Sequence, residues 1–437
     1  MNLGFKELVT IGLGLIIGGG VITVTGYGIG YTDTGISLAY LVAGIAFIFS
    51  MIPTLIVGLT IPRTSFSYTV TNELMSPFAG GMFLWIFFIG RIIMAFFGVA
   101  FASYVTSILP DLNATYVAVG AITLFYVINL LGAQSATKIQ KVLNVVLIVA
   151  LVSFSALGIM KLQPDALTAE RLFPNGSDGF ISAVTMLMFS MGGGLVLLEF
   201  GGMVKEPQKV LFKAILTVTA IATVLFACIG LAGSGVLPYE QVANKPMTYA
   251  AETIFGNEAG VLFFVIGGAL MALATTMNSS YMWYCNTMIK GCEDGWFPTF
   301  LAKKNRFGTP YILLTIFWLM GVAPVIAGMD IGVLVRVATG LALLFFAIPN
   351  FALLGLPSKY PQEWQASRFY IKSKAVLVTL TVVCNAVFLG LIFKSFSGFS
   401  SSILTIIAAT VGVGVIYILF KNKQMKAQQQ LTPATEV

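Results

Sequence analysis

Two runs of three glycines are the residues of this chain whose type and spacing could do chemistry. One run occupies residues 18–20 and the other residues 192–194, each inside a long apolar segment. Glycine in a helix interior costs about 1 kcal/mol relative to alanine, and bare backbone in hydrocarbon is tolerated only where protein or water covers it. Three glycines in a row cover most faces of a helix, which favours a broken helix over packing through small residues. The N–H groups that begin the second half of a broken helix would face an anion.

The composition identifies the elements that carry these runs as membrane helices. Hydrophobic residues make up 58% of the 437-residue chain, charged residues make up 9%, and the mean hydropathy is +0.94. These values predict an all-α, polytopic membrane protein. Apolar segments long enough to cross a bilayer number about twelve. They fall near residues 8–29, 36–61, 78–109, 116–131, 139–160, 179–203, 210–236, 259–289, 311–327, 331–356, 375–393 and 401–420.

The positive charges predict the orientation. Of the 24 Lys and Arg residues, 18 fall in the N-terminal tail, the even-numbered connections and the C-terminal tail, and four fall in the other connections. This bias predicts a multi-pass plasma membrane protein with both termini in the cytoplasm. Because positive-inside connections account for the net charge of +7, no nucleic-acid partner is expected.

Several classes of chemistry are excluded by residue type. The chain has no histidine, which excludes His relays, His metal sites and Ser–His catalysis. The four cysteines lie in or beside apolar segments without metal-ligand spacing and are interpreted as reduced packing residues. The first apolar segment is too long for a cleavable signal peptide. No nucleophile–base set or paired intramembrane acids are present, so an enzyme is not expected.

The two glycine runs fall in the first and sixth segments. Broken helices at corresponding positions of two halves indicate an inverted-repeat transporter with its site where the breaks meet. We expect residues 1–165 to form the first five-helix repeat and residues 166–357 the second. Residues 358–420 would add two helices, and residues 421–437 a cytoplasmic tail.

Two ionisable residues lie deep in these segments. Arg91 falls near the middle of the third, and Glu199 follows the second glycine run by about one turn. Charges at this depth need a partner and are functional candidates by default. Glu199 could pair with Arg91, close a cytoplasmic gate or bind a coupling cation.

Four stretches resemble the amino acid–polyamine–organocation (APC) permeases. Residues 14–22 read GLIIGGGVI against the family's G-x-x-I-G-x-G-I-F, and residues 62–68 read PRTSFSY against P-R-x-G-G-S-Y. Residues 205–209 (KEPQK) are similar to K-N-P-x-R, and residues 294–310 begin DGWFP and end GTP, as in R-D-G-x-x-P…G-T-P. Each motif is loose, but four in this order are specific.

The resemblance implies the five-plus-five fold with discontinuous helices 1 and 6, and an amino acid bound between them. The carboxylate would lie on the N–H groups of Gly18, Gly19 and Gly20, as expected for an anion at a helix N-terminus. The ammonium would lie on backbone carbonyls from both breaks. The full set of expected substrate-binding residues is Ile16, Ile17, Gly18, Gly19, Gly20, Ser190, Met191, Gly192, Gly193 and Gly194.

Four positions depart from the family pattern. Gly194 and Leu195 stand where relatives usually carry an aromatic residue and a Glu, and Asn286 replaces a common arginine. Leu147 stands where many relatives have a lysine that takes the place of sodium. Without that lysine a sodium ion has room, and Ser279, Ser280 and the carbonyls of Gly14 and Ile17 could bind it.

These residues predict a secondary active transporter of amino acids that works by alternating access, without a cofactor other than a possible sodium ion. Proton coupling through Glu199 and uncoupled uptake or exchange stay open. A polyamine or organic-cation carrier is the main rival, and a non-transporting sensor is a weaker one. Near the outer end of the tenth segment, Arg336 and Asp330 could gate with Asp33 or form a surface ion pair. Neither the amino acid carried nor the oligomeric state follows from the sequence.

Overall fold

A computed structural model describes residues 3–132, 136–204 and 206–431, without the side chains of 136–144, Met282, Ile331 and 428–431. Lys205 of the KEPQK motif and the end of the tail, residues 432–437, lie outside these described parts, as do the side chains of Lys138 and Lys141, which are among the 18 positive charges predicted to be cytoplasmic. All regular structure in the described residues is helical, which confirms the all-α prediction.

The first half of the chain forms ten helices. They are α1 Phe5–Ile16, α2 Gly19–Thr32, α3 Ile36–Ser50, α4 Ile52–Thr60, α5 Phe66–Val70, α6 Pro77–Ile89, α7 Ile93–Ile108, α8 Ala114–Leu130, α9 Ala136–Ile159 and α10 Ala169–Leu172. Short 3₁₀ turns at Asp33–Gly35 and Gly90–Ile92 join α2 to α3 and α6 to α7, and a π-helical turn, Thr71–Met75, precedes α6.

Twelve helices follow. They are α11 Gly176–Met191, α12 Pro207–Gly235, α13 Tyr239–Val242, α14 Thr248–Phe255, α15 Glu258–Leu262, α16 Met271–Glu293, α17 Tyr311–Ile326, α18 Ile331–Asn350, α19 Leu356–Lys359, α20 Pro361–Ala366, α21 Lys374–Ser397 and α22 Ser401–Leu431. A 3₁₀ segment, Gly192–Glu199, continues α11, and a π-helical segment, Phe263–Leu270, joins α15 to α16.

Eight helical stretches of the described chain are long and apolar enough to cross a membrane. They are Gly19–Ser50, Pro77–Ile108, Gly176–Glu199, Pro207–Gly235, Glu258–Glu293, Gly332–Leu354, Lys374–Ser397 and Ser401–Ala427. Shorter apolar helices occur at Ala114–Leu130, Val145–Ile159 and Tyr311–Ile326. This confirms a multi-pass membrane protein, whereas the count of twelve spans and the division into repeats remain predictions.

The two glycine runs shape their helices differently. After α1 the chain leaves helical geometry at Ile17 (ψ 83°) and Gly18 (φ −140°) before α2 begins at Gly19. The second run instead keeps the chain helical and tightens α11 into 3₁₀ geometry from Gly192 onward. Both helices therefore leave α-helical geometry at their glycine run, the first through two non-helical residues and the sixth through a 3₁₀ segment.

The helices pack in two groups. α1, α2, α3, α11 and α12 contact one another, while α7, α8, α16, α17 and α18 form a second set of contacting helices. Both glycine runs belong to the first group, so the helices that carry them pack together.

A buried amide joins the two groups at a kink that Pro53 introduces between α3 and α4. Asn350 of α18 is 0% exposed. Its Oδ1 accepts from the backbone N–H of Thr54 (3.1 Å), and its Nδ2 donates to the carbonyl of Ser50 (2.7 Å). In a regular helix these two backbone groups would bond to each other. The Asn350 amide thus bonds both backbone groups that the kink leaves without each other, although Asn350 lies almost 300 residues away in the sequence. The sequence pattern does not reveal this contact.

Candidate functional site

The two glycine runs meet backbone to backbone. A Cβ atom at Gly193 would lie 2.5 Å from the Cα and 2.8 Å from the N of Ile16, a separation that real Cβ atoms do not reach. A Cβ at Gly20 would lie 3.6 Å from the Cα of Ser190. Expected substrate-binding residues from the two glycine runs are therefore in contact, and only glycine fits at position 193.

Two of the backbone N–H groups at this junction donate hydrogen bonds to acceptors in the structure. Gly18 donates to the carbonyl of Ile16 at 3.1 Å, and Gly19 donates to the hydroxyl of Thr276 on α16 at 2.7 Å. Gly20 lies in the first turn of α2, where backbone N–H groups have no acceptor within their own helix. The junction thus presents a helix N-terminus that already binds one oxygen atom, that of Thr276.

Thr276 is a functional candidate that the sequence reasoning missed. It lies one turn before the predicted pair Ser279 and Ser280, and the run of hydroxyls from Thr275 to Ser280 is the signal that could have revealed it.

Aromatic rings cover one side of the junction. A Cβ at Gly20 would lie 3.7 Å from the ring of Phe189. That ring lies 6.3 Å from the ring of Phe96 and 6.5 Å from the ring of Phe97, measured between centroids. The space beside the glycine N–H groups is therefore apolar.

The predicted sodium ligands lie close to this junction on α16. Residues 276, 279 and 283 share one helix face because they are spaced by three and four positions. Thr276 contacts Gly19, so Ser279 lies on the same face one turn further along. Ser279 is exposed and donates its proton to the carbonyl of Thr275 (2.6 Å), which leaves its oxygen lone pairs free to bind a cation.

Two further observations concern whether a cation could bind beside Ser279. Leu147 is 1% exposed, so the position of the relatives' lysine is filled by an apolar side chain. Serine hydroxyls and the carbonyls of Gly14 and Ile17 are hard oxygen ligands of the kind that alkali and alkaline-earth cations bind. The residues present therefore fit a sodium ion chemically.

Glu199 faces a cavity on the α16 side of the junction. The cavity is small, with a volume of about 20 Å³, and is lined by Glu199, Ser67, Trp283, Phe345 and Phe346, among others. The Oε1 atom of Glu199 accepts from the N–H (3.2 Å) and the hydroxyl (2.8 Å) of Ser67. The N-terminal turn of α5 thus stabilises this carboxylate.

Arg91 is not the partner of Glu199 in this structure. It is 7% exposed, and its Nε donates to the carbonyl of Phe87 at 2.7 Å. Its guanidinium carbon lies 3.9 Å from the ring centroids of both Phe87 and Tyr284. No carboxylate of the described residues lies within ion-pair distance of it. The predicted pairing is wrong for this conformation because two aromatic faces hold the cation instead.

An ion pair closes the end of the molecule that carries Thr32 and Asp33. This end is here called the outer face, after the predicted orientation. The carboxylate of Asp33 accepts from the Nε (2.7 Å) and the Nη2 (3.2 Å) of Arg171, and the two side chains are 1% and 11% exposed. Arg171 also donates to Gln163, Asp165 and the carbonyls of Ser234 and Leu237. One guanidinium therefore ties together four segments of this face.

Neither alternative for Arg336 and Asp330, an outer gate with Asp33 or a surface ion pair, occurs among the described residues. Arg336 donates to the carbonyl of Gly398 (3.2 Å), and Asp330 caps its own helix by accepting from the N–H of Val333 (3.1 Å). Arg171 lies 138 residues from Asp33 in a connection without a motif, so the sequence reasoning missed it.

The connection that contains α13 and α14 also closes the outer face over α2. Asn244 donates its backbone N–H to the carbonyl of Gly26 (3.0 Å), and Tyr239 donates its hydroxyl to the carbonyl of Gly30 (2.6 Å). The carbonyl of Lys245 approaches Gly26 so closely that a Cβ there would lie 2.3 Å away. The end of α2 is therefore covered by protein.

The opposite end is here called the inner face. This end carries Leu3, which pairs with Val204, and Thr64, which pairs with Phe200. Along α16, Ser279 and Asn286 are exposed on the helix face that begins at Thr276, and Trp283 between them is half-buried and lines the cavity of Glu199. This row of residues, from Thr276 to Asn286, is here called the inner path.

Comparison with known proteins places this architecture in a family. A family model described as amino acid permease matches residues 3–422. The branched-chain amino acid permease BcaP of Bacillus subtilis (strain 168) is 23% identical over 98% of this chain and 94% of its own length. The serine/threonine exchanger SteT of the same organism is 24% identical over 72% of this chain and 74% of its own length.

A third relative from B. subtilis, a methylthioribose transporter, is 24% identical over 82% of this chain and 81% of its own length. All three names describe transporters rather than enzymes, in agreement with the residue types. The match of the family model over nearly the whole length confirms the resemblance drawn from the four motifs. This chain belongs to the amino acid permease family of membrane transporters.

Proposed function

We propose that the protein binds an amino acid at the glycine junction and moves it across the plasma membrane by alternating access, with both termini in the cytoplasm. The observation that supports this most directly is the contact of Gly193 with the backbone of Ile16, because it places the two glycine runs side by side. In this proposal the carboxylate takes the N–H groups of Gly19 and Gly20. The hydroxyl of Thr276 holds the Gly19 N–H until the substrate arrives.

The ammonium group has acceptors on the other side of the junction. The carbonyls of Ile16 and Ile17 and those near Ser190 to Gly192 are candidates, since backbone carbonyls are the usual acceptors where a membrane helix is unwound. The rings of Phe189, Phe96 and Phe97 favour an aliphatic side chain. The name of the relative BcaP, a branched-chain permease, is in line with that preference.

Sodium is the coupling ion that the site supports best. The oxygen of Ser279 is exposed on the inner path, and an apolar leucine fills the position of the relatives' lysine. Proton coupling through Glu199 is a second candidate because this carboxylate also faces a cavity on that path.

A polyamine carrier is disfavoured by the charges near the path. Arg91 lies 5.5 Å from the centroid of the Trp283 ring, which lines the cavity of Glu199. A polycation would have to pass this guanidinium, whereas a zwitterion carries a carboxylate that it attracts.

The first experiment is a thermal-shift screen of the purified full chain against the twenty L-amino acids and the polyamines, in sodium and in choline buffer. A ligand that binds the folded state raises the unfolding temperature by mass action. We expect an aliphatic amino acid to stabilise the protein more in sodium than in choline. Stabilisation by polyamines alone would refute the glycine–carboxylate site.

A matched pair of glycine variants tests the location. Gly20→Ala fits the fold, since its Cβ would lie no closer than 3.6 Å to its neighbours, but its methyl group would project into the junction. Gly120→Ala adds the same methyl group where nothing lies within 4 Å. We expect at least a tenfold weaker affinity for the amino acid in Gly20→Ala and no change in Gly120→Ala. Equal affinities in the two variants would move the site elsewhere.

A further inference from the structure

A second cavity opens on the outer face, away from the glycine junction. Its volume is about 190 Å³, below the ~300–1,000 Å³ typical of drug-sized sites, so it suits a ligand no larger than an amino acid. It lies between α11, α18 and the end of α21, and Tyr31 from the end of α2 contributes to its wall. This outer cavity is not used by the site described above.

The charges that line the outer cavity are mainly positive. Lys394 is paired with the exposed carboxylate of Asp178. Arg336 donates one N–H from its Nη1 to the carbonyl of Gly398 and lies 5.5 Å from the ring centroid of Phe399. Within the described parts of the chain, no carboxylate lies within 4 Å of the Arg336 guanidinium. Its charge is therefore not neutralised by the protein.

A buried hydroxyl accompanies this guanidinium. Thr339 is 2% exposed, lines the outer cavity, and its Oγ1 has no hydrogen-bond partner. It lies three residues after Arg336 on α18, hence on the same helix face. Other hydroxyls of the wall donate their protons to backbone carbonyls, namely Ser182, Thr185 and Ser395. Thr339 is thus a buried polar group for which the protein offers no partner, and such groups are rare without a ligand or water.

We propose that the outer cavity binds the carboxylate group of an amino-acid-sized ligand through the guanidinium of Arg336 and the hydroxyl of Thr339. Both groups can donate, and a carboxylate offers two acceptor oxygens that could meet them together. That this ligand is the transported amino acid rests on the proposed function, whereas the carboxylate site itself does not.

The test is protection of an introduced thiol in the wall of this cavity. Ser397→Cys is suitable because Ser397 is exposed and lines the cavity. The full chain is placed in phosphatidylcholine nanodiscs and treated with a methanethiosulfonate reagent, and mass spectrometry reads the modification at position 397. The native, half-buried Cys228 on α12 serves as the internal reference.

Three probes define the expected result. Sodium acetate and L-leucine each slow the modification at position 397 at least threefold, and L-leucinol, which lacks the carboxylate, does not. Adding Arg336→Gln or Thr339→Val abolishes this protection. The matched control Lys161→Gln, which removes another cation that donates to a carbonyl outside the cavity, leaves it intact.

Three results would overturn the site. The first is the absence of protection by both carboxylates, and the second is protection that persists in Arg336→Gln. The third appears in nanodiscs with phosphatidylglycerol: if this lipid alone protects position 397 and acetate adds nothing, a lipid phosphate occupies the cavity.

Failure of this site and failure of the proposed function give different patterns. If L-leucine is transported but no carboxylate protects position 397, only the outer-cavity site falls. If no amino acid binds at the junction while acetate still protects, the outer-cavity site stands and the proposed function falls. Gly20→Ala serves as the cross-check, since it should weaken transport and leave the protection unchanged.

Discussion

The two faces of this transporter hold their polar groups in opposite ways. On the outer face Asp33 and Arg171 are buried, bonded to each other and to four further acceptors. Toward the inner face, Ser279 and Asn286 are exposed on the α16 face that begins at Thr276. The difference indicates a conformation held closed at the outer face, with the inner path partly exposed. Alternating access would require the reverse arrangement, in which the Asp33–Arg171 pair separates.

The largest effect on stability is expected from removing the ion pair that closes the outer face. Arg171→Gln leaves the buried carboxylate of Asp33 without its cation. Breaking a buried pair by removing one partner costs about 3–5 kcal/mol, so we expect the free energy of unfolding to fall by that order. Chemical or thermal unfolding of the purified protein measures the loss. Lys245→Gln is the control, since this lysine lies on the same face, donates to a backbone carbonyl and belongs to no ion pair of the described chain.

Arg171→Lys tests whether the shape of the guanidinium contributes to stability in addition to its charge. Lysine keeps the charge but lacks the planar fork that bonds both carboxylate oxygens of Asp33. An intermediate loss of stability is expected. If Arg171→Gln is as stable as the wild type, the ion pair does not hold the outer face closed.

The next largest effect concerns the junction between the faces. In Gly193→Ala the new methyl group would lie 2.5 Å from the Cα of Ile16, and backbone cannot move aside as a side chain can. We expect loss of transport together with destabilisation of roughly 1–3 kcal/mol, the cost of inserting atoms into a well-packed site. Uptake into proteoliposomes and thermal unfolding measure both. Gly390→Ala, with nothing within 4 Å of its Cβ, should behave as wild type.

Two substitutions of Glu199 test the contribution of its hydrogen bonds with Ser67 to stability. Its Oε1 accepts two bonds from Ser67, and the amide oxygen of Glu199→Gln can accept the same two. Glu199→Ala leaves the Ser67 donors unpaired, which costs about 1–3 kcal/mol. We therefore expect Glu199→Ala to be the less stable of the two variants in thermal unfolding.

Transport by the Gln variant separates the two coupling proposals. With sodium as the coupling ion, Glu199→Gln keeps the dependence of uptake on external pH that the wild type shows. A pH profile flattened by this substitution would assign the coupling to Glu199 instead.

Sequence reasoning succeeded where a local pattern carries the physics. Apolar length predicts membrane helices because a bilayer leaves the backbone few alternatives, and the glycine runs predict their own junction because glycine alone allows such close backbone contact. The four permease motifs were local as well, and they led to the correct family.

What the sequence did not reveal depends on contacts between distant segments. Asp33 and Arg171 are 138 residues apart, Ser67 and Glu199 are 132 apart, and Thr54 and Asn350 are 296 apart. No periodicity relates the members of such pairs. Among the alternatives considered from the sequence, the pairings of Glu199 with Arg91 and of Asp33 with Arg336 rested on charge alone. The structure instead satisfies these groups with aromatic faces, a serine and Arg171 of the short helix α10.

The smallest effect on stability, and the most specific one, is expected at the serines of the inner path. Ser279 is exposed and its hydroxyl bonds its own helix, so Ser279→Ala and Ser280→Ala should change the free energy of unfolding by less than about 0.5 kcal/mol, as is usual for surface substitutions. If a sodium ion binds here, removing an oxygen ligand raises the sodium concentration needed for half-maximal uptake several-fold. The matched control is Ser153→Ala on α9, whose hydroxyl likewise bonds a carbonyl of its own helix. An unchanged sodium dependence in both α16 variants would remove the ion from the inner path and leave that path as a route for the substrate alone.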